Sequence, residues 1–227
     1  MKWILSALLI ASVQPVHAGL VIYGTRVIYP AEKNEVLVQL MNQGERSSLV
    51  QSWIDDGDSS LPPEKIHVPF MLTPPVAKIA RDSGQQLKIK KLPNMLPNNK
   101  ESLFYLNVLD IPPNNPDSTG KNVLKFAMQN RIKLFYRPKG IAPVNKNTFQ
   151  KLSMQRSGSI YSIKNDAANW ITVTEVKVNN VKINNGSIML APLSSANVAL
   201  KSANANQYKI TIIDDHGNYI SDNVSLK

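Results

Sequence analysis

Two short segments of this sequence gather groups able to hold a metal ion. Asp55-Asp56-Gly57-Asp58 offers three carboxylates in four residues, and Asp214-Asp215-His216 offers two carboxylates and an imidazole. A calcium loop of the helix–loop–helix type needs ligands at fixed alternate positions and a closing glutamate. Neither the spacing nor that glutamate follows Asp55, so an acidic turn is the simpler reading. A turn as tight as 214–216 cannot easily converge three ligands on one ion. Nucleophilic chemistry finds even less to work with. Cysteine is absent, and beyond residue 18 the only histidines are His67 and His216. No GxSxG elbow, HExxH helix or phosphate-cradling glycine loop occurs. The sequence therefore predicts a protein that is not an enzyme and needs neither cofactor nor metal.

The remaining chemistry is cationic. Of 227 residues, 26 are Lys or Arg and 16 are Asp or Glu, a net charge of +10. Such a field favours acidic partners. The basic residues are scattered, with only Lys88, Lys90 and Lys91 close together, and their spacing reads as the solvated face of a strand. Nucleic acid is not expected as a partner, because no nucleic-acid motif is present and the chain opens with an export signal. Lys2 precedes an apolar run from Trp3 to Val13, followed by small residues at Val16 and Ala18. This order of charge, apolar run and small residues marks a secretory signal. Cleavage is expected after Ala18, leaving Gly19 onward in the periplasm. The run is too short to span a bilayer, and no later segment is long and apolar enough to be an integral membrane helix.

The elements that must position these charges are strands. Short β-rich runs at 20–29, 35–41, 49–54, 66–72, 85–91, 103–111 and 123–136 are separated by Pro, Asn, Gly and Asp. Seven strands at this spacing predict an immunoglobulin-like sandwich, with Trp53 expected between its two sheets. Pro138 and Gly140 break the pattern like an elbow. Beyond them shorter runs at 151–155, 159–164, 170–178, 187–190, 196–201, 208–213 and 219–226 predict a second β-sandwich. The expected division is signal 1–18, first domain 19–137 and second domain 138–227: an all-β chain of two immunoglobulin-like sandwiches with a cleft between them.

The run 123–136 is unusually long for a strand. Leu124, Phe126, Met128, Ile132 and Leu134 alternate along it, interrupted only by Asn130. A strand this long either overhangs its sheet or lies buried throughout, and alternation alone does not decide which. An overhanging apolar face is an aggregation liability unless something pairs with it, which predicts weak self-association of the free protein.

The segment from Leu96-Pro97-Asn98 through Glu101, Tyr105 and Asn107 to Ile111-Pro112-Pro113 resembles the signature of the periplasmic pilus chaperones of the chaperone–usher pathway. Gly24-Thr25-Arg26-Val27-Ile28-Tyr29-Pro30 is similar to that family's first strand, Leu72-Thr73-Pro74-Pro75 to its mid-domain segment, and Arg131 to Pro138 to its long seventh strand and elbow. Ile213-Asp214-Asp215-His216-Gly217 resembles a late turn of its second domain. The resemblance covers essentially all of 19–227.

That resemblance implies a function. Such a chaperone binds pilin subunits, each a sandwich lacking its last strand, and hands them to an outer-membrane usher. Strand addition of this kind supplies backbone hydrogen bonds to a bare edge and side chains to a groove. The resemblance places Leu124, Phe126 and Met128 as donor-strand plugs. It places Arg26 and Lys133 as the anchor for the subunit's C-terminal carboxylate, and Glu101, Arg137 and Asp215 as a charge network between the domains. Lys133 has the opposite parity to the three plugs, so it faces the other way unless a bulge intervenes. The short link 114–122 is similar to the branch that serves thicker, rod-like pili. The competing class is a secreted immunoglobulin-like fibre subunit or adhesin.

Overall fold

The computed structural model describes residues 19–113, 124, 126–201 and 205–227. The expected signal at 1–18 and the whole of the link 114–122 lie outside the described residues.

Among the described residues nine strands build the first half. In chain order they are β1 (Leu20–Ile22), β2 (Arg26–Pro30), β3 (Glu35–Asn42), β4 (Ser48–Asp55), β5 (Phe70–Thr73), β6 (Val76–Ile79), β7 (Ser83–Lys91), β8 (Ser102–Ile111) and β9 (Met128–Arg137). They form two facing sheets, β1-β3-β7-β5 and β2-β9-β8-β4-β6. The core between them includes Tyr29, Leu40, Leu87, Ile89, Leu106 and Leu134, all essentially without exposure. Alternation explains the placement, since residues i and i+2 share a face of a strand.

The expected first strand, 20–29, is two strands. Residues 20–22 pair with β3 in one sheet, and residues 26–30 pair with β9 in the other. The crossing between sheets falls at Gly24, whose φ of +111° is open to glycine and costly for other residues. Two further expectations are corrected. Trp53 is not a core residue: β4 turns Val50, Ser52 and Ile54 inward and leaves Trp53 half-buried on the opposite face. The run 66–72 is a strand only at 70–73, because Pro69 has no N–H to give a ladder. Strand β6 was not anticipated; its four residues follow Pro74-Pro75 and are too short to show a period.

The second half holds β10 (Leu152–Ser157), β11 (Ile160–Asn165), β12 (Ile171–Val178), β13 (Val181–Lys182), β14 (Ile188–Leu190), β15 (Ser194–Val198), β16 (Gln207–Ile213) and β17 (Tyr219–Ser225). One sheet is β10-β11-β15; the other is β13-β12-β16-β17, with β14 also paired to β12. Asn179 and Asn180 both take positive φ in the β12–β13 turn, as a two-residue hairpin requires. A separate core forms here around Met154, Ile163, Ile171, Tyr208 and Ile210. The chain is thus all-β, with two immunoglobulin-like sandwiches that meet along β9 and the 138–144 connection.

Candidate functional site

Strand β9 organises the site. It pairs antiparallel with β8 in unbroken register, from Ser102↔Tyr136 to Asp110↔Met128. No bulge intervenes, so the two faces of β9 stay distinct along its length. Ile132, Leu134 and Tyr136 point into the first core. Arg131, Lys133, Phe135 and Arg137 lie on the other face, where Lys133 and Arg137 reach the second domain. Lys133 and Met128 therefore face opposite ways.

On its other edge β9 pairs with β2, which runs parallel and covers only part of it. The register begins at Arg26↔Lys133 and ends at Pro30↔Arg137. From Met128 to Ile132 that edge has no strand partner among the described residues. The expected long strand 123–136 is in fact Met128–Arg137; its apolar N-terminal part is not in a described strand. The three proposed plugs are nevertheless solvent-facing: Leu124 is 80% exposed, Phe126 73% and Met128 67%. Values so high for large apolar side chains rule out burial in this chain's own core.

Register places Arg26 and Lys133 side by side where the two sandwiches meet. The Lys133 Nζ donates to Thr172 Oγ1 at 3.3 Å, and Arg26 Nη1 to the Ile213 carbonyl at 3.4 Å. The Arg26 guanidinium lies 5.9 Å from the Phe135 ring centroid, and its buried Nε has no hydrogen-bond partner among the described residues. Among the described residues neither cation is ion-paired. Burial lowers the pKa of both, and for Lys133 the adjacent Arg26 lowers it further. Two desolvated cations with spare donors have the chemistry to bind a carboxylate.

Three charged residues link the sandwiches. Arg137, at the end of β9, donates through Nε to Glu101 Oε1 at 2.5 Å. Its two terminal nitrogens grip Asp215 at 2.5 and 2.7 Å, in the two-pronged geometry that guanidinium favours. The Glu101 carboxylate, 3% exposed, also accepts from Asn169 Nδ2 and the Trp170 N–H. Burial pushes the Glu101 carboxyl up, only partly offset by Arg137 and the Trp170 N–H. For Arg137 burial is outweighed by Asp215 and Glu101, so its guanidinium is held firmly charged. The turn after Asp215 also fits closely: Gly217 has φ +88°, and a Cβ there would come within 2.5 Å of Thr25 Oγ1.

A second network was not anticipated from the sequence. Asp55, read there as part of an acidic turn, ends β4 and is only 1% exposed. Arg131 binds its carboxylate through Nη2 at 2.5 Å and Nε at 3.1 Å, and Asn107 Nδ2 donates at 2.5 Å. Arg131 also stacks 3.7 Å from the Tyr105 ring centroid, and Gln129 donates to Asn107 Oδ1. Burial alone would raise the Asp55 carboxyl, but hydrogen bonds from Arg131, Asn107 and the Gly57 N–H together hold it below the usual range. The other half of the original metal candidates is also used locally: Asp214 accepts from the His216 and Asn218 N–H groups.

Comparison with known proteins decides the family. Residues 19–142 match the pili and flagellar-assembly chaperone, PapD N-terminal domain, and residues 147–224 match the pili assembly chaperone PapD, C-terminal domain. The chain belongs to the pilus-assembly chaperones. It is 70% identical over 224 residues to the probable fimbrial chaperone YehC of Escherichia coli strain K12, spanning 99% of this chain and 94% of that one. It is 38% identical over 221 residues to the chaperone protein FimB/FhaD of Bordetella pertussis, across 94% and 91% of the two chains. Among solved structures, the Pseudomonas aeruginosa CupB2 chaperone superposes with a TM-score of 0.78 at 30% identity, covering 91% of this chain and all of that one. Pilus-assembly chaperones are non-enzymatic and periplasmic. No helix among the described residues is long and apolar enough to cross a membrane.

Proposed function

We propose that this pilus-assembly chaperone captures fimbrial subunits in the periplasm by lending them strand β9 and the segment before it, and delivers them to an outer-membrane usher. The observation that carries the reading is the edge of β9 from Met128 to Ile132, without a strand partner among the described residues, which ends at the half-buried pair Arg26 and Lys133. A subunit strand added along that edge gains backbone hydrogen bonds that need no particular sequence. Its terminal carboxylate, seated on Arg26 and Lys133, fixes the register. Leu124, Phe126 and Met128 then fill the subunit's open groove, each contributing roughly 1.5–3 kcal/mol on full burial. Glu101, Arg137 and Asp215 set the angle between the sandwiches, and so the position of Arg26 against β16.

Supporting the reading, a Salmonella enterica structure of the SafA pilin in complex with the SafB chaperone shares this fold, with a TM-score of 0.80 at 21% identity. Export by the signal at 1–18, with cleavage after Ala18, belongs to the same proposal. So does weak self-association of the free protein through its exposed plugs.

The test is co-purification from periplasm of a co-expressed fimbrial subunit with wild type and with the Arg26→Ala, Lys133→Ala double variant. Wild type is expected to carry the subunit in equimolar amount and the folded variant to lose it. Equal capture by both would remove the anchor from the proposal.

A further inference from the structure

We infer that Asp55 is a register-fidelity residue, which occupies Arg131 so that a subunit's C-terminal carboxylate can seat only at Arg26 and Lys133. The inference rests on the carboxylate-anchor reading above and adds to it a device that excludes one particular error.

A strand added along β9 can slip. A slip of one residue turns every side chain to the wrong face and is self-defeating. A slip of two residues keeps the parity, so the plugs still face the groove and only about 7 Å of overlap is lost. Parity offers no protection against that error. Something else must distinguish one position from the next but one.

The charge pattern on the far face of β9 does so. That face carries three cations, at 131, 133 and 137. Arg137 is held by Glu101 and Asp215. Arg131 is held by the buried Asp55 through two hydrogen bonds and by the Tyr105 ring. Among the described residues Lys133 has the Thr172 hydroxyl, and its register neighbour Arg26 has a carbonyl and the Phe135 ring; neither has a carboxylate partner. Arg131 sits two residues before Lys133, where a parity-preserving slip would bring the carboxylate. Its side chain is 28% exposed, so it is within reach of a ligand. Asp55 takes its Nε and Nη2 and neutralises its charge, so a second carboxylate gains far less there than at the unpaired Lys133.

The chain has no cysteine, so single cysteines can report register by disulfide trapping. The probe is a synthetic strand peptide of alternating Val and Thr, with a free C-terminal carboxylate and one Cys three residues before its end. In the anchored register that Cys lies beside position 130; after a two-residue slip it lies beside 128. The reporters are Asn130→Cys and Met128→Cys, each placed in wild type, Asp55→Asn and Asp55→Asn with Arg131→Gln.

Wild type is expected to trap at 130 alone. Asp55→Asn is expected to add trapping at 128, and the double variant to return to 130 alone. Trapping confined to 130 in a folded Asp55→Asn protein overturns the inference, as does trapping at 128 that persists when Arg131 is also removed. A C-terminal amide peptide separates the two levels: if it traps at 130 in wild type as well as the free acid does, the anchor itself fails. Should Asp55→Asn not fold, Gln129→Lys places an unneutralised cation on the same face with Asp55 intact. Trapping should then spread to a Phe126→Cys reporter, and its absence beside a working anchor overturns the inference.

Discussion

Arg26 and Lys133 face each other across the parallel β2–β9 pair, and no carboxylate of the described residues touches either one. Paired like charges on neighbouring strands destabilise a sheet. Removing either one should leave thermal stability unchanged or slightly higher. Ligand capture should behave in the opposite way. A hydrogen bond to a charged group is worth about 1.5–3 kcal/mol, so each alanine variant should bind a free-acid subunit peptide about tenfold to a hundredfold more weakly. Calorimetric titration with the free acid and with its amide checks this, since only the acid should respond.

The anchor should also respond to pH. Burial and then Arg26 depress the Lys133 pKa in the free protein. A bound carboxylate raises it again, so binding takes up protons. Affinity is then full below the free-state pKa and declines as pH rises through it toward the bound-state value. Lys133→Arg should move the decline to higher pH, because the guanidinium keeps its charge. Peptide affinity measured from neutral into alkaline pH for both proteins decides it.

The interdomain network should be asymmetric under mutation. Arg137→Ala strands the Glu101 carboxylate at 3% exposure without its cation. Breaking one side of a buried pair costs about 3–5 kcal/mol. Glu101→Gln keeps an acceptor for the Trp170 N–H and should cost less. Urea unfolding of the two variants should rank them in that order.

The plugs should matter only to the partner. Leu124, Phe126 and Met128 are each at least 67% exposed in the free protein. Alanine at any of the three should change unfolding stability by no more than about 0.5 kcal/mol. Subunit capture should weaken by roughly tenfold or more for each, following the area no longer buried. Co-purification yield and denaturation midpoint, measured on the same samples, separate the two effects.

Asp55 should shape the acid limb of stability. Its folded-state pKa is lowered: burial opposes ionisation, but Arg131, Asn107 and the Gly57 N–H together win. A depressed carboxyl contributes stability that is present above the unfolded pKa of about 3.9 and lost as pH falls through the folded value. Asp55→Asn should therefore be less stable than wild type at neutral pH, with the difference narrowing toward strong acid. Thermal melts between neutral pH and pH 2 check the sign.

Much of this was legible in the sequence because strand chemistry is local. Alternation and turn residues marked most of the strands, and Pro138 and Gly140 lie in the stretch that follows β9. The residues quoted for the family resemblance lie on β2, β5, β8, β9 and the turn after β16, within the spans matched to the two family domains. Local reading also had local failures. Trp53 was expected inside because it is large and apolar, yet its parity with Leu49 and Gln51 puts it outside. The first strand was read as continuous across Gly24, which in fact lets the chain change sheets.

What the sequence by itself determined is the set of alternating runs, and therefore which side chains share a face of each strand. The tertiary structure decided which faces and edges meet. Arg26 and Lys133 lie more than a hundred residues apart, and only the parallel β2–β9 register makes them neighbours. Asp55 looked like one of several turn acids until β4, β8 and β9 came together and gave it Arg131, while Asp56 beside it stayed in water. The physical reason is common to both. A strand's period depends on its own residues, but the charge that a residue meets depends on the strand laid beside it.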